Sequence, residues 1–174
     1  GPAALAAALA ASRSGARVIL CDARPRFGGS LLCDDRSRID GLAATEWVTA
    51  AIAELAQNPR VRLLPRTTAF GYFPHNHLGL SERITDHLAE PPAGLARERL
   101  WQVRAQQVVL ATGSIEQPLV FPGNDRPGVM LAGAALRYLK EHAVLPGRRV
   151  VIATICDSAY RVALEMQAAG ARVA

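Results

Sequence analysis

From Pro2 to Ser14 alanine and leucine fill nearly every position, a pattern that predicts a helix buried over a broad face against a sheet. Gly15 then ends the helix with a left-handed cap, and Arg17-Val18-Ile19-Leu20-Cys21 predicts a strand. A second helix is expected from Ala43 to Ala56, where Trp47, Val48, Ile52 and Leu55 recur at helical spacing and Pro59 follows. Val61 to Phe73 alternates as a strand or hairpin arm, with Pro65 at an edge or a bend. Around Pro74 the pattern dissolves, and residues 74–99 read as a long excursion joining two strands. Periodicity returns at Leu100 to Ala105, and the apolar run Gln107-Val108-Val109-Leu110 into Ala111-Thr112-Gly113 predicts a central parallel strand ending near a ligand.

The order of these elements carries the first chemical inference. Gly1-Pro2-Ala3-Ala4 opens the alanine-rich helix as the end of a phosphate-binding loop, and Asp22 stands at a strand end about twenty residues beyond Gly1, where an acidic side chain accepts hydrogen bonds from an adenosine ribose. That is a βαβ dinucleotide unit lacking its first strand. Ser14-Gly15-Ala16-Arg17-Val18 recurs as Ala169-Gly170-Ala171-Arg172-Val173, so the helix-to-strand corner repeats from position 15 to position 170. A new strand, Arg149 to Ala153, precedes the second copy. The expected fold is therefore a doubly wound α/β, Rossmann-like FAD/NAD(P)-binding fold, with a first unit over residues 1–147 and the start of a second over 148–174. In that second unit Thr154, Cys156 and Ala159 replace the glycines, which keeps a backbone from approaching a pyrophosphate closely. Both ends of the chain fall inside predicted elements, so a fragment of a longer protein is expected.

Composition narrows the function classes. The 174 residues are 50% hydrophobic with no apolar run of membrane-spanning length, so a globular domain without a membrane partner is expected. A net charge of +5 from scattered arginines, with aromatics at 5%, supplies few stacking platforms and disfavours nucleic acid. An anionic cofactor, an acidic protein partner or a plain solvated basic surface each accounts for the arginine excess. Cys21, Cys33 and Cys156 show no Cys-x-x-Cys spacing, which suggests neither a disulfide framework nor a zinc site and fits a reducing cytoplasm. His75-x-His77 has no third ligand nearby, so no metal is expected.

Several segments together resemble a known family. Phe27-Gly28-Gly29-Ser30-Leu31, Leu64 to Tyr72, Asp86-His87-Leu88, Gln107 to Glu116, Asn124-Asp125-Arg126-Pro127-Gly128-Val129-Met130 and Asp157-Ser158-Ala159-Tyr160-Arg161 are similar to the α subunit of heterotetrameric sarcosine oxidase, among the flavoproteins with two dinucleotide-binding domains. The resemblance covers essentially the whole chain, and the Asn124 to Met130 segment is shared with related amine and opine dehydrogenase subunits. It implies a subunit of an oxidase that demethylates sarcosine to glycine with release of hydrogen peroxide. The small-molecule amine and FAD would sit on the β subunit, FMN at the α/β boundary, with γ and δ subunits completing the complex. This chain would hold NAD and no catalytic residue, in keeping with the lack of a Ser-His, His-Asp or paired-carboxylate spacing. FAD in the same loop, as in an opine or proline dehydrogenase subunit, is the alternative, and a scaffold with a structural nucleotide is a third.

Each candidate residue has a ligand role and, in several cases, a plain structural one. Gly1 admits the pyrophosphate, Pro2 and Ala3 open the helix whose N-terminus favours the charge, and Ala4 takes the third, packing position of the fingerprint. Asp22 reads either as the ribose ligand or as a strand-end turn cap; as ligand it disfavours a 2′-phosphate, an inference that Arg24 weakens. Ala23, Gly29 and Ser30 line the ribose and pyrophosphate by analogy with the family. Ala69 offers strand backbone to an adenine edge, or is simply a sheet position. Thr112 and Gly113 either approach the cofactor or turn the chain between domains.

Overall fold

The computed structural model describes all 174 residues. By packing they form two compact units, Gly1–Thr112 and Gly113–Ala174.

The first unit begins with helix α1 (Pro2–Arg13), which Gly1 starts and Pro2 suits as the first helical residue, since its missing N–H has no partner there anyway. Strand β1 (Val18–Cys21) follows, then a 3₁₀ turn at Gly29–Cys33 and a small hairpin of β2 (Arg38–Ile39) and β3 (Leu42–Ala43). Helix α2 (Ala44–Gln57) starts where the Glu46 carboxylate accepts the Ala43 N–H at 3.1 Å, one half of a capping box. It returns the chain to β4 (Val61–Leu64), which pairs parallel with β1, Val18 opposite Val61 and Cys21 opposite Leu64. Leu5, Leu9, Leu20, Trp47, Val48 and Leu55 form the core between the two helices and this parallel pair. Each such buried side chain contributes roughly 1.5–3 kcal/mol. At the rim the guanidinium of Arg13 donates to both carboxylate oxygens of Glu54 at 2.7 and 2.8 Å, clasping α1 to α2. Both side chains are exposed, so the clasp orients more than it stabilises.

Beyond β4 the chain bends at Pro65-Arg66 into an antiparallel sheet of β5 (Thr67–Phe73), β6 (His77–Arg83) and β7 (Glu98–Arg104), in the order β5-β6-β7. The expected bend at Pro65 is there, but the 74–99 excursion is not structureless. His77–Arg83 is its central strand, with Leu80 buried between Ala69 and Trp101, and only the stretch from 84 to 97 is irregular. The glycine pair Gly71 and Gly79 hid it from a hydrophobicity reading. Those glycines leave the space that the rings of Phe73 and Phe70 occupy.

The apolar run at 107–112 forms no strand: Val109 and Leu110 are 68% and 67% exposed and pair with nothing. A strand exists only through its ladder, and β1 pairs with β4 alone. Apolar composition alone therefore over-predicted it.

In the second unit α3 (Ala132–His142) packs on α4 (Ser158–Ala168), and a short parallel pair joins β8 (Arg149–Val150) to β9 (Arg172–Val173). The core is Val162, Met166 and Ala171 against Leu136, Leu139 and Val150, with a Lys140–Glu165 ion pair at 2.6 Å between the helices. This packing draws residues 113–147 into the second unit, so the compact boundary falls earlier than the 147/148 point at which the second repeat begins in sequence. Only Arg149–Val150 of the expected strand Arg149 to Ala153 is paired.

The repeated corner has the same geometry twice. Gly15 and Gly170 both take positive φ, at 84° and 95°. Ala16 N–H reaches Ala11 O at 3.1 Å and Gly15 N–H reaches Ser12 O at 3.0 Å; Ala171 N–H reaches Met166 O at 2.9 Å and Gly170 N–H reaches Gln167 O at 3.0 Å. Both are Schellman caps, in which the left-handed residue lets two otherwise orphaned carbonyls be satisfied.

Candidate functional site

At the start of α1 the Gly1 carbonyl accepts the Leu5 N–H at 3.2 Å, and no side chain caps the helix. The N–H groups of Ala3 and Ala4 therefore lack intrahelical partners, as first-turn donors do, and with the positive end of the helix dipole they favour an anion. Against this turn lies the Gly28-Gly29 loop. A Cβ on Gly29 would stand 2.7 Å from the Gly1 Cα, and both loop glycines adopt positive φ, 128° and 59°. Gly28 is equally confined, by Leu32 and Val48. Gly1 and Gly29, 28 positions apart in sequence, thus meet backbone to backbone in space. Ser30 follows on the 3₁₀ turn with its side chain exposed.

Asp22 continues β1. Its N–H donates to Leu64 O at 3.1 Å, its own carbonyl accepts the Thr67 N–H at 2.8 Å, and its Oδ1 accepts the Arg24 N–H at 3.0 Å. The carboxylate is thereby fixed as an Asx turn at the carboxyl end of the parallel pair, the edge at which α/β folds bind ligands. The turn-cap and ribose-ligand readings are thus compatible, because the Arg24 N–H engages one oxygen and a carboxylate has two. Ala23 and Arg24 complete the turn, Ala23 exposed and Arg24 half-buried. Ala69 lies exposed on the edge strand β5, opposite Leu80 and beside a bulge that spans Ala69 to Gly71. Thr112 closes the first unit and Gly113, at φ 77°, opens the second; both are exposed and belong to no helix or strand. A pyrophosphate at Ala3-Ala4 and a ribose at Asp22 fit these donors and this acceptor.

One residue that the sequence motifs do not mark is Arg66. Its N–H donates to Arg24 O at 2.9 Å and its φ is 52°, so the β4–β5 turn is zipped to the loop after Asp22. An arginine directly after Pro65, at a bend that favours glycine or asparagine, was the available signal.

The second loop is folded differently. Thr154 Oγ1 donates to Cys156 O at 3.0 Å and accepts the Cys156 N–H at 3.1 Å, so the side chain spans the turn. The Cys156 thiol shares a hydrogen bond with Ser158 Oγ at 3.1 Å and lies 3.7 Å from Thr154 Oγ1; these contacts hold its pKa below the ordinary thiol range. Burial, reinforced by Asp22, pushes the Cys21 thiol the other way. Alkylation by iodoacetamide at neutral pH is expected to label Cys156 about tenfold faster than Cys21, because the thiolate is the nucleophile. Peptide mass spectrometry against time checks this, and Ser158→Ala should slow the Cys156 reaction. Equal rates at the two cysteines would contradict the environments described.

No protein-family model matches the chain. Among curated proteins it is 50% identical over 173 residues to the sarcosine oxidase alpha subunit of Rhizobium meliloti (strain 1021), covering 99% of this chain and 17% of that protein. It is 32% identical over 174 residues to an opine oxidase subunit of Rhizobium meliloti, covering 98% of this chain and 32% of that protein. Among solved structures it superposes on L-proline dehydrogenase from P. horikoshii with a TM-score of 0.78 at 25% identity, over 99% of this chain and 33% of that one. The structural match confirms the expected Rossmann-like α/β class. Over its full length the chain is similar to sarcosine oxidase α subunits, and it spans 17% of the length of the Rhizobium meliloti relative.

Proposed function

We propose that the chain is the nucleotide-holding part of the α subunit of an amine-oxidising, sarcosine-oxidase-like complex, and that its first unit binds NAD. The observation that carries the reading is the convergence of the uncapped α1 N-terminus, the Gly1–Gly29 backbone contact and the fixed Asp22 carboxylate on one edge of the β1–β4 pair. In this reading Ala3 and Ala4 N–H donate to the pyrophosphate, Asp22 accepts from the adenosine ribose, and Ala69 presents strand backbone to the adenine. Bound NAD would supply a hydride-accepting nicotinamide, and the role of this chain's residues is to bind and orient it. Demethylation of sarcosine with peroxide release would take place on a partner β subunit carrying FAD. FMN would lie at the boundary between the two, and γ and δ subunits would complete a cytoplasmic complex. The 50% identity to the sarcosine oxidase alpha subunit supports this arrangement.

A second reading is favoured by the likeness to the opine oxidase subunit of Rhizobium meliloti and to L-proline dehydrogenase: the same loop holds FAD in a dehydrogenase subunit. Nucleotide released from the full-length complex by mild denaturation separates the two, with NAD expected alongside the flavins. If substrate is added first, NAD that stays oxidised while the flavins bleach supports a structural nucleotide. FAD alone in the released fraction would reject the NAD reading in favour of the dehydrogenase alternative.

A further inference from the structure

Arg66 breaks a local rule without a local return. Its backbone sits at φ 52°, a conformation that glycine or asparagine adopts far more readily than a long side chain. It is held there from three sides: Arg66 N–H bonds Arg24 O, the Arg66 carbonyl accepts the Arg83 N–H at 3.0 Å, and the neighbouring Thr67 N–H bonds Asp22 O. The side chain is half-buried, yet its guanidinium takes part in no ion pair or hydrogen bond within the chain. A half-buried cation without an anion, on a turn whose backbone is bonded to Asp22 and Arg24, suits an anionic ligand group. The pyrophosphate belongs at the opposite end of the site, on α1, so the anion that Arg66 suits lies on the adenosine ribose.

We propose that Arg66 is a specificity-determining residue at the adenosine end and that the site therefore accepts a 2′-phosphorylated dinucleotide as well as the unphosphorylated one. The inference rests on the dinucleotide reading of the first unit. It modifies the expectation that Asp22 disfavours a 2′-phosphate. One Asp22 oxygen is already engaged by the Arg24 N–H, and the Arg66 side chain is rooted on a turn whose backbone is bonded to Asp22 and Arg24. An acid beside an arginine accommodates both ribose forms where an acid alone rejects one.

The test titrates the assembled full-length protein, cleared of bound nucleotide, with NAD+ and with NADP+, as wild type and as Arg66→Gly. The wild type is expected to bind the two within about tenfold of each other. Arg66→Gly should lower NADP+ affinity about tenfold or more while changing NAD+ affinity less than about threefold. Its melting temperature should hold or rise, because glycine relieves the left-handed strain. Parallel loss of both affinities with a lower melting temperature would make Arg66 merely structural and overturn the inference. So would wild-type discrimination against NADP+ of about a hundredfold or more, although NAD+ binding would then leave the underlying site reading intact. Binding of neither nucleotide would remove both.

Discussion

Asp22→Ala is expected to strip NAD from the full-length complex while its flavins stay bound. The carboxylate is the one group at the β1 end able to accept from two ribose hydroxyls, and hydrogen bonds to a charged acceptor contribute roughly 1.5–3 kcal/mol each. Removing both should weaken the nucleotide by about a hundred- to ten-thousandfold, enough to lose it during purification. Part of the effect acts through the fold, since Oδ1 also fixes the Arg24 N–H and hence the loop against the Pro65-Arg66 turn. Asp22→Asn separates the two contributions: it keeps a side-chain acceptor for Arg24 but loses the charge that the ribose hydroxyls favour. Nucleotide content after gel filtration, measured by absorbance of the released fraction, gives the answer. NAD retained at wild-type occupancy in Asp22→Ala would remove Asp22 from the site, and loss of FAD in its place would support the dehydrogenase alternative.

How far the sequence carried these conclusions differs by element, for physical reasons. Helix α2 was legible because it buries one periodic face, and α1 and β1 because their apolar runs stop at Gly15 and at Asp22, all of it local information. The Schellman corner at Gly15 was legible twice over, since its left-handed residue is nearly always glycine. Strand β6 was not, because its fit to the sheet depends on cross-strand pairs and on rings that occupy the space at Gly71 and Gly79. The run at 107–112 failed in the opposite sense: its composition suits a buried strand, but pairing is a property of the neighbour. Helix α3 is hard to read although Ala135, Leu136 and Leu139 share one face, because Gly133 near its start and its short length weaken the pattern. Its N-terminus is held from a distance, by the Glu116 carboxylate accepting Ala132 and Gly133 N–H at 3.1 and 2.8 Å. At the site the motif residues Gly1 to Ala4 and Asp22 could be named from spacing alone. That Gly29 touches Gly1 could not, because contact across 28 positions is tertiary information.

Gly29→Ala is the sharper test of that contact. The new methyl would meet the Gly1 Cα at 2.7 Å, a distance that real Cβ atoms essentially never show, and the obstructing atom is backbone rather than a side chain able to swing aside. The φ of 59° adds the ordinary left-handed penalty, about 1–2 kcal/mol for an L-residue with a Cβ. Either the 28–30 loop or the start of α1 must move, and the donors on Ala3 and Ala4 are set by where α1 starts. A shift of these N–H groups by a fraction of an ångström weakens charge-assisted bonds to a pyrophosphate, so affinity should fall by about thirtyfold or more. Gly15→Ala is the matched control. It carries a similar φ of 84° but meets nothing within 4 Å, so it should lower the melting temperature through strain while leaving nucleotide affinity nearly unchanged. Equal loss of affinity in the two variants would mean that general destabilisation, and not the Gly1–Gly29 approach, governs binding.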